Sequence, residues 1–133
     1  MGSKATVRLD RPRSVREALG VSQSEMSRLL GITLRALQSY EQEWRKTPPS
    51  VQRIAGLILY LRWRVKNPRQ APCWTITGCE PERRDACPAY RYRAGDLCWL
   101  LTGTRCRGKK AGTWEEKLDG CRRCPVMKSW LTA

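Results

Sequence analysis

The chain has no histidine and no phenylalanine among its 133 residues. Without imidazole there is no Ser-His-Asp triad, no histidine base for a nucleophilic cysteine and no histidine-bound metal. Long apolar runs are also missing. The longest, Ala55 to Leu61, falls far below the roughly 20 residues needed to span a bilayer. No apolar stretch follows Met1-Gly2-Ser3-Lys4, so no secretory signal is expected and the expected location is the cytoplasm. Acidic residues are scarce, with 12 Asp plus Glu against 26 Lys plus Arg, a formal charge of +14. Together these absences exclude a secreted or membrane-spanning histidine-dependent enzyme, and no enzymatic activity is expected. The 41% hydrophobic and 29% charged fractions still suit a folded soluble chain rather than a disordered tail.

Cysteine is absent from the first 72 residues, and all seven cysteines lie between Cys73 and Cys124. The composition changes at Lys66-Asn67-Pro68-Arg69-Gln70-Ala71-Pro72, where two prolines interrupt any helix. The sequence therefore divides into residues 1–66, a linker at 67–72 and a cysteine-rich domain at 73–133. Each part is small enough that a hydrophobic core alone is marginal. The expected fold class is mainly α. A helix-turn-helix bundle of four to five helices precedes a small, loop-rich, metal-stabilised cysteine domain.

In the first part the apolar residues follow helical spacing: Val15 and Leu19; Met26, Leu29 and Leu30; Leu34, Leu37 and Tyr40. A further set, Val51, Ile54, Ile58, Leu61 and Val65, predicts a helix from near Ser50 to about Lys66. Leu30, Leu37 and Ile54 are expected in the core. Ala55, Leu57, Leu59, Tyr60 and Trp63 flank the 51-54-58-61-65 stripe, which leaves extra apolar surface for another module or subunit. Ser22-Gln23-Ser24-Glu25 is a capping box, Gly31 is a natural helix stop, and Thr33 can cap the next helix. Only Gly31-Ile32 separates the two helices, a tight helix-turn-helix.

Periodicity of this kind suits any small helical bundle, but the string Leu19-Gly20-Val21-Ser22-Gln23-Ser24-Glu25-Met26-Ser27-Arg28-Leu29-Leu30-Gly31-Ile32-Thr33 is more specific. With Leu37, Tyr40-Glu41 and Arg45-Lys46-Thr47-Pro48 it resembles the lambda-repressor/Cro-like helix-turn-helix family over roughly residues 13–65. That resemblance implies that the second helix enters the major groove of double-stranded DNA. By the same carry-over Leu34, Arg35 and Ser39 would face base edges, with Gln38 beside them. Arg35 could bond guanine O6 and N7 together, whereas Leu34 offers only apolar contact. Gln23 matches a phosphate-contacting glutamine, and Thr33, Arg45 and Lys46 would hold the backbone. The plainer alternative for each charge is a solvated helix face. The family usually has glycine two residues after the Glu, where this chain has Glu43.

The cysteine-rich part contains a repeat. Cys73-Trp74-Thr75-Ile76-Thr77-Gly78-Cys79 and Cys98-Trp99-Leu100-Leu101-Thr102-Gly103-Thr104-Arg105-Cys106 share a C-W-x-x-T-G pattern closed by cysteine. Each is followed by a Cys-Pro, at Cys87-Pro88 and Cys124-Pro125, while Cys121 has no counterpart. These strings resemble the two-CW domain family of bacterial proteins, whose membership implies that the cysteines act as a set. Disulfides and a catalytic thiol remain as weaker readings. A reducing cytosol disfavours the first, and no histidine base serves the second. Structural zinc and an iron–sulfur cluster are both held by four thiolates. The expected ligands come from Cys73, Cys79, Cys87, Cys98, Cys106, Cys121 and Cys124. Spacing favours Cys121 with Cys124, and the repeat adds Cys87. An iron–sulfur cluster of the 4Fe–4S type is the favoured cofactor, with zinc the alternative. Trp74 and Trp99 would shield such a site. Arg105, Arg107, Lys109, Lys110, Arg122 and Arg123 would offset its negative charge or meet phosphate.

The combined expectation is a DNA-binding transcription regulator, a homodimer, whose cysteine domain responds to redox state or metal. The rival readings are a constitutive DNA-binding protein with structural zinc and an electron-transfer or adaptor protein.

Overall fold

A computed structural model describes residues 7–68, 71–102, 104 and 112–131. It divides into two units, one ending at Lys66 and the other running from Asn67 to Leu131. Helices make up the regular structure, and no strand occurs among the described residues.

The first unit holds α1 (Pro12–Leu19), α2 (Gln23–Leu30), α3 (Leu34–Glu41) and α4 (Pro49–Lys66). Pro12 opens α1, where its missing N–H leaves nothing unpaired. Gly20 ends that helix in the left-handed region, its N–H donating to the Arg16 carbonyl at 2.9 Å. The helix α1 packs on α3 and α4, and α2 packs on the same two. Leu9, Val15, Met26, Leu30, Leu37, Val51, Ala55 and Leu59 are buried in this unit.

One expectation is reversed in α4. The residues buried along it are Val51, Gln52, Ala55, Gly56, Leu59 and Tyr60. Ile54, Leu61 and Val65, expected in the core, are exposed at 41%, 38% and 81%. The helix is apolar over most of its circumference, so spacing could not identify its inner face. Small residues at 55 and 56 made the true inner side look less hydrophobic than its neighbour. Gln52, which reads as a surface amide, is buried and donates from Nε2 to the Thr47 carbonyl at 3.0 Å. This bond pins the loop leaving α3 to the first turns of α4.

The second unit is built from short pieces: α5 (Cys73–Ile76), α6 (Pro81–Ala86), α7 (Pro88–Arg91), a 3-10 turn at Cys98–Leu100, α8 (Trp114–Cys121) and α9 (Pro125–Leu131). Proline opens α6, α7 and α9, so its fixed backbone angle starts each turn where no amide bond is required. Thr113 caps α8, accepting from the Glu116 amide at 3.2 Å and donating to the Glu116 carboxylate at 3.1 Å. The helix α9 packs on α5 and α8, and α8 also packs on the 3-10 turn. Trp99, Trp114, Leu118, Met127, Trp130 and Leu131 are buried, with the Trp99 and Trp130 ring centroids 4.9 Å apart. Gly95 allows a close approach that a side chain would block. A Cβ there would lie 2.7 Å from Pro72 Cα, and the Gly95 carbonyl accepts from the Cys73 amide at 2.9 Å.

Candidate nucleic-acid interface and thiol cluster

The turn between α2 and α3 is fixed by local hydrogen bonds. Ser22 Oγ accepts from the Glu25 amide at 3.1 Å, starting α2. Gly31, at φ 70°, closes that helix, and the next amide, Ile32, reaches back to the Ser27 carbonyl at 3.0 Å. A side chain at position 31 would force an L-residue into the left-handed region that glycine enters without cost. Thr33 Oγ1 then accepts from the Ala36 amide at 3.0 Å and starts α3. Both helices are thus capped within a three-residue connection.

A polar network ties α3 to the other two helices. Arg16 donates to Glu41 through Nε at 2.8 Å and through its terminal nitrogen at 3.0 Å. Gln23 Nε2 donates to the same carboxylate at 3.1 Å, and Gln38 Nε2 donates to Gln23 Oε1 at 3.4 Å. The Glu41 side chain is only 3% exposed. Its hydrogen bonds raise the Arg16 guanidinium above its ordinary pKa. Nothing in the sequence pattern marked Arg16 or Glu41 as partners, since they lie 25 residues apart.

The predicted DNA-facing residues fall into two groups. Leu34 and Arg35 are exposed on the first turn of α3, and Arg45 and Lys46 are exposed beyond its end. Arg45 lies over the Tyr40 ring, 5.1 Å from its centroid. Gln23 and Gln38 face each other within the polar network. Ser39 is turned back on its own helix, donating to the Arg35 carbonyl at 3.1 Å, and Thr33 is occupied as a cap. The exposed reading surface is therefore the start of α3, with Arg35 its one cation.

Glu43 sits where the resemblance expects glycine, and its φ is +62°. The backbone keeps the left-handed conformation while the side chain opposes it. Two amides complete the turn: Glu43 donates to the Tyr40 carbonyl at 3.2 Å, and Trp44 donates to the Ser39 carbonyl at 2.9 Å. A non-glycine residue in this region is strained by about 1–2 kcal/mol. The exposed 3.6 Å pair of Glu43 with Arg11 offsets little of that. Glu43→Gly is expected to raise stability by up to about 1 kcal/mol after the added flexibility of the unfolded chain is included. A higher thermal midpoint at unchanged helix content is the expected result, and a lower one would contradict it.

In the second unit four thiols meet. Cys73, Cys87, Cys98 and Cys124 form one buried cluster with Ala89 and Val126, and Trp74 packs against it. The Cys98 thiol donates a hydrogen bond to Cys73, which is the main reason the Cys73 pKa is lowered; the Lys117 charge adds to it. That bond and burial push the Cys98 pKa up. Cys121 is buried at the end of α8, and Cys79 is half-buried after α5. Cys106 lies outside the described residues, as do Arg105, Arg107, Lys109 and Lys110. Arg123 pairs with Asp119 at 3.3 Å on the surface, and Arg122 is half-buried. Among the described residues no three Cys, Asp or Glu side chains are arranged as a preformed metal site. The donor set is nevertheless all sulfur, enclosed and free of carboxylate, which is the chemistry that thiophilic ions take.

Sequence reasoning missed Lys117. Within Trp114-Glu115-Glu116-Lys117-Leu118 it reads as a solvated charge, yet it is 2% exposed and donates from Nζ to Thr104 Oγ1.

Residues 13–62 match a helix-turn-helix family model. That stretch, spanning α1 to most of α4, is a helix-turn-helix domain of the lambda-repressor/Cro-like kind, a class that binds double-stranded DNA and is not enzymatic. The cysteine-rich half is matched by no family model. No curated protein and no solved structure matches the chain. No helix among the described residues is long and apolar enough to cross a membrane.

Proposed function

We propose that the protein is a transcription regulator that reads DNA with α3 and carries a metal- or cluster-binding thiol module behind it. The observation that supports this reading most is the presentation of Leu34 and Arg35 on the first turn of α3, with both flanking helices capped. Helix-turn-helix domains place that part of the second helix against base edges. The excess of basic over acidic residues supplies sequence-independent attraction to phosphate.

One small helix-turn-helix reads a short half-site, so we propose a homodimer acting in the cytoplasm. The exposed Ile54, Leu61 and Val65 of α4 are the candidate contact. For the thiol module the proposed occupant is an iron–sulfur cluster through which redox state or metal supply alters DNA binding. Structural zinc, with DNA binding independent of redox state, is the second reading. The all-sulfur cluster suits either.

The test is a titration against a selected operator. Arg35→Ala is expected to cost about 1–3 kcal/mol and to relax one base position. Lys46→Ala is expected to weaken all sequences alike and to lower the salt slope by about one. Wild-type binding by both variants would overturn the groove assignment. The same titration with metal-loaded and stripped wild-type protein separates sensor from staple, since coupled sites differ roughly 5–150-fold. Equal affinities would reject sensing.

A further inference from the structure

We infer that Cys73, Cys87, Cys98 and Cys124 are the four ligands of one thiophilic centre and that Lys117 is its buried counter-charge. This deepens the cofactor reading above and rests on it.

Three independent observations converge on this set. The four thiols share one buried cluster. They are also the repeat-related pairs, the two Cys-Trp cysteines and the two Cys-Pro cysteines. Each repeat half therefore supplies one of each kind. Their places in the fold match as well. Cys73 and Cys98 are the first residues of α5 and of the 3-10 turn, and Cys87 and Cys124 directly precede the prolines that open α7 and α9. Cys121, favoured by its spacing to Cys124, instead closes α8 and is not in the cluster.

Lys117 supplies the third observation. An ammonium removed from water is costly unless negative charge stands near it. This one is 2% exposed, and its charge reaches both Cys73 and Cys98. Neutral thiols would leave that cost uncompensated. Four thiolates around a divalent ion retain two negative charges, which the ammonium partly cancels. On binding, the protons carried by the thiols leave to solvent as the ion enters, so the unit loads better as pH rises.

The experiment uses the full chain, prepared anaerobically and loaded either with zinc(II) alone or with iron(II) and sulfide. Wild type is expected to retain about one zinc or about four irons per chain after gel filtration. The two loadings distinguish a single ion from a cluster. Cys73→Ala, Cys87→Ala, Cys98→Ala and Cys124→Ala should each lose most of the metal, and Cys121→Ala should keep it. Cys87→His guards against simple misfolding, because imidazole can replace one thiolate on zinc. Zinc retained by that variant and lost by Cys87→Ala marks ligation rather than packing. Lys117→Met is expected to weaken zinc binding about 10–100-fold in competition with a chelator. Unchanged affinity would remove its role. Metal lost in Cys121→Ala and kept in Cys87→Ala would overturn the ligand set while leaving a metal module. A wild-type chain that takes up neither metal would overturn both readings.

Discussion

Arg16→Met is expected to destabilise the helix-turn-helix unit by about 2–3 kcal/mol. The Glu41 carboxylate is 3% exposed and takes two hydrogen bonds from this guanidinium. Only the Gln23 amide would then remain of the printed partners, at 3.1 Å. Losing one member of a fully enclosed ion pair costs about 3–5 kcal/mol. The Arg16 side chain keeps 19% exposure, so water can reach the gap and the lower figure applies. Adding Glu41→Leu should recover most of the loss, because an apolar pair of similar volume is often neutral in such a place. Denaturant unfolding of the single and double variants checks this. A single variant as stable as wild type would mean that the network contributes little.

The second large effect is expected at Trp99. Its side chain is wholly buried and its ring centroid lies 4.9 Å from that of Trp130. Trp99→Ala should cost about 3–5 kcal/mol and leave the second unit poorly ordered. Trp74 is its repeat mate but is only half-buried, edge-on to Tyr90 with centroids 4.9 Å apart. Trp74→Ala should cost about 1–2 kcal/mol, since less of the ring is withdrawn from water. Thermal melts of the two variants, measured on metal-free protein, separate packing from any cofactor effect. Equal losses at the two positions would contradict the asymmetry.

What could be read from the sequence was local. Ser22, Gly31 and Thr33 act within four residues of themselves, and each adopts the capping role that its chemistry and position imply. Glu43 was visible as a departure from the family pattern. That its backbone would still adopt the glycine conformation was not, because the turn is imposed by amides of Glu43 and Trp44 reaching back into α3. The buried face of α4 could not be read, since apolar residues surround that helix and only its neighbours choose a side. Arg16 with Glu41, and Lys117 with the thiols, are pairings across helices. Each residue on its own looks like an ordinary surface charge. The Cys-Trp and Cys-Pro repeat was plain in the spacing, but which thiols gather depends on how α5 meets α9.

The helices α2 and α3 are eight residues each. Helices that short barely form in water, because the first turn costs more order than so few bonds return. The reading helix therefore has no private stability and exists only while α1 and α4 hold it. Its amide protons should exchange with solvent through the opening of the whole first unit, rather than through a local melting of α3. Any change that loosens α1, even one remote from the bases, then acts on DNA binding by reducing the fraction of chains that possess a reading helix at all.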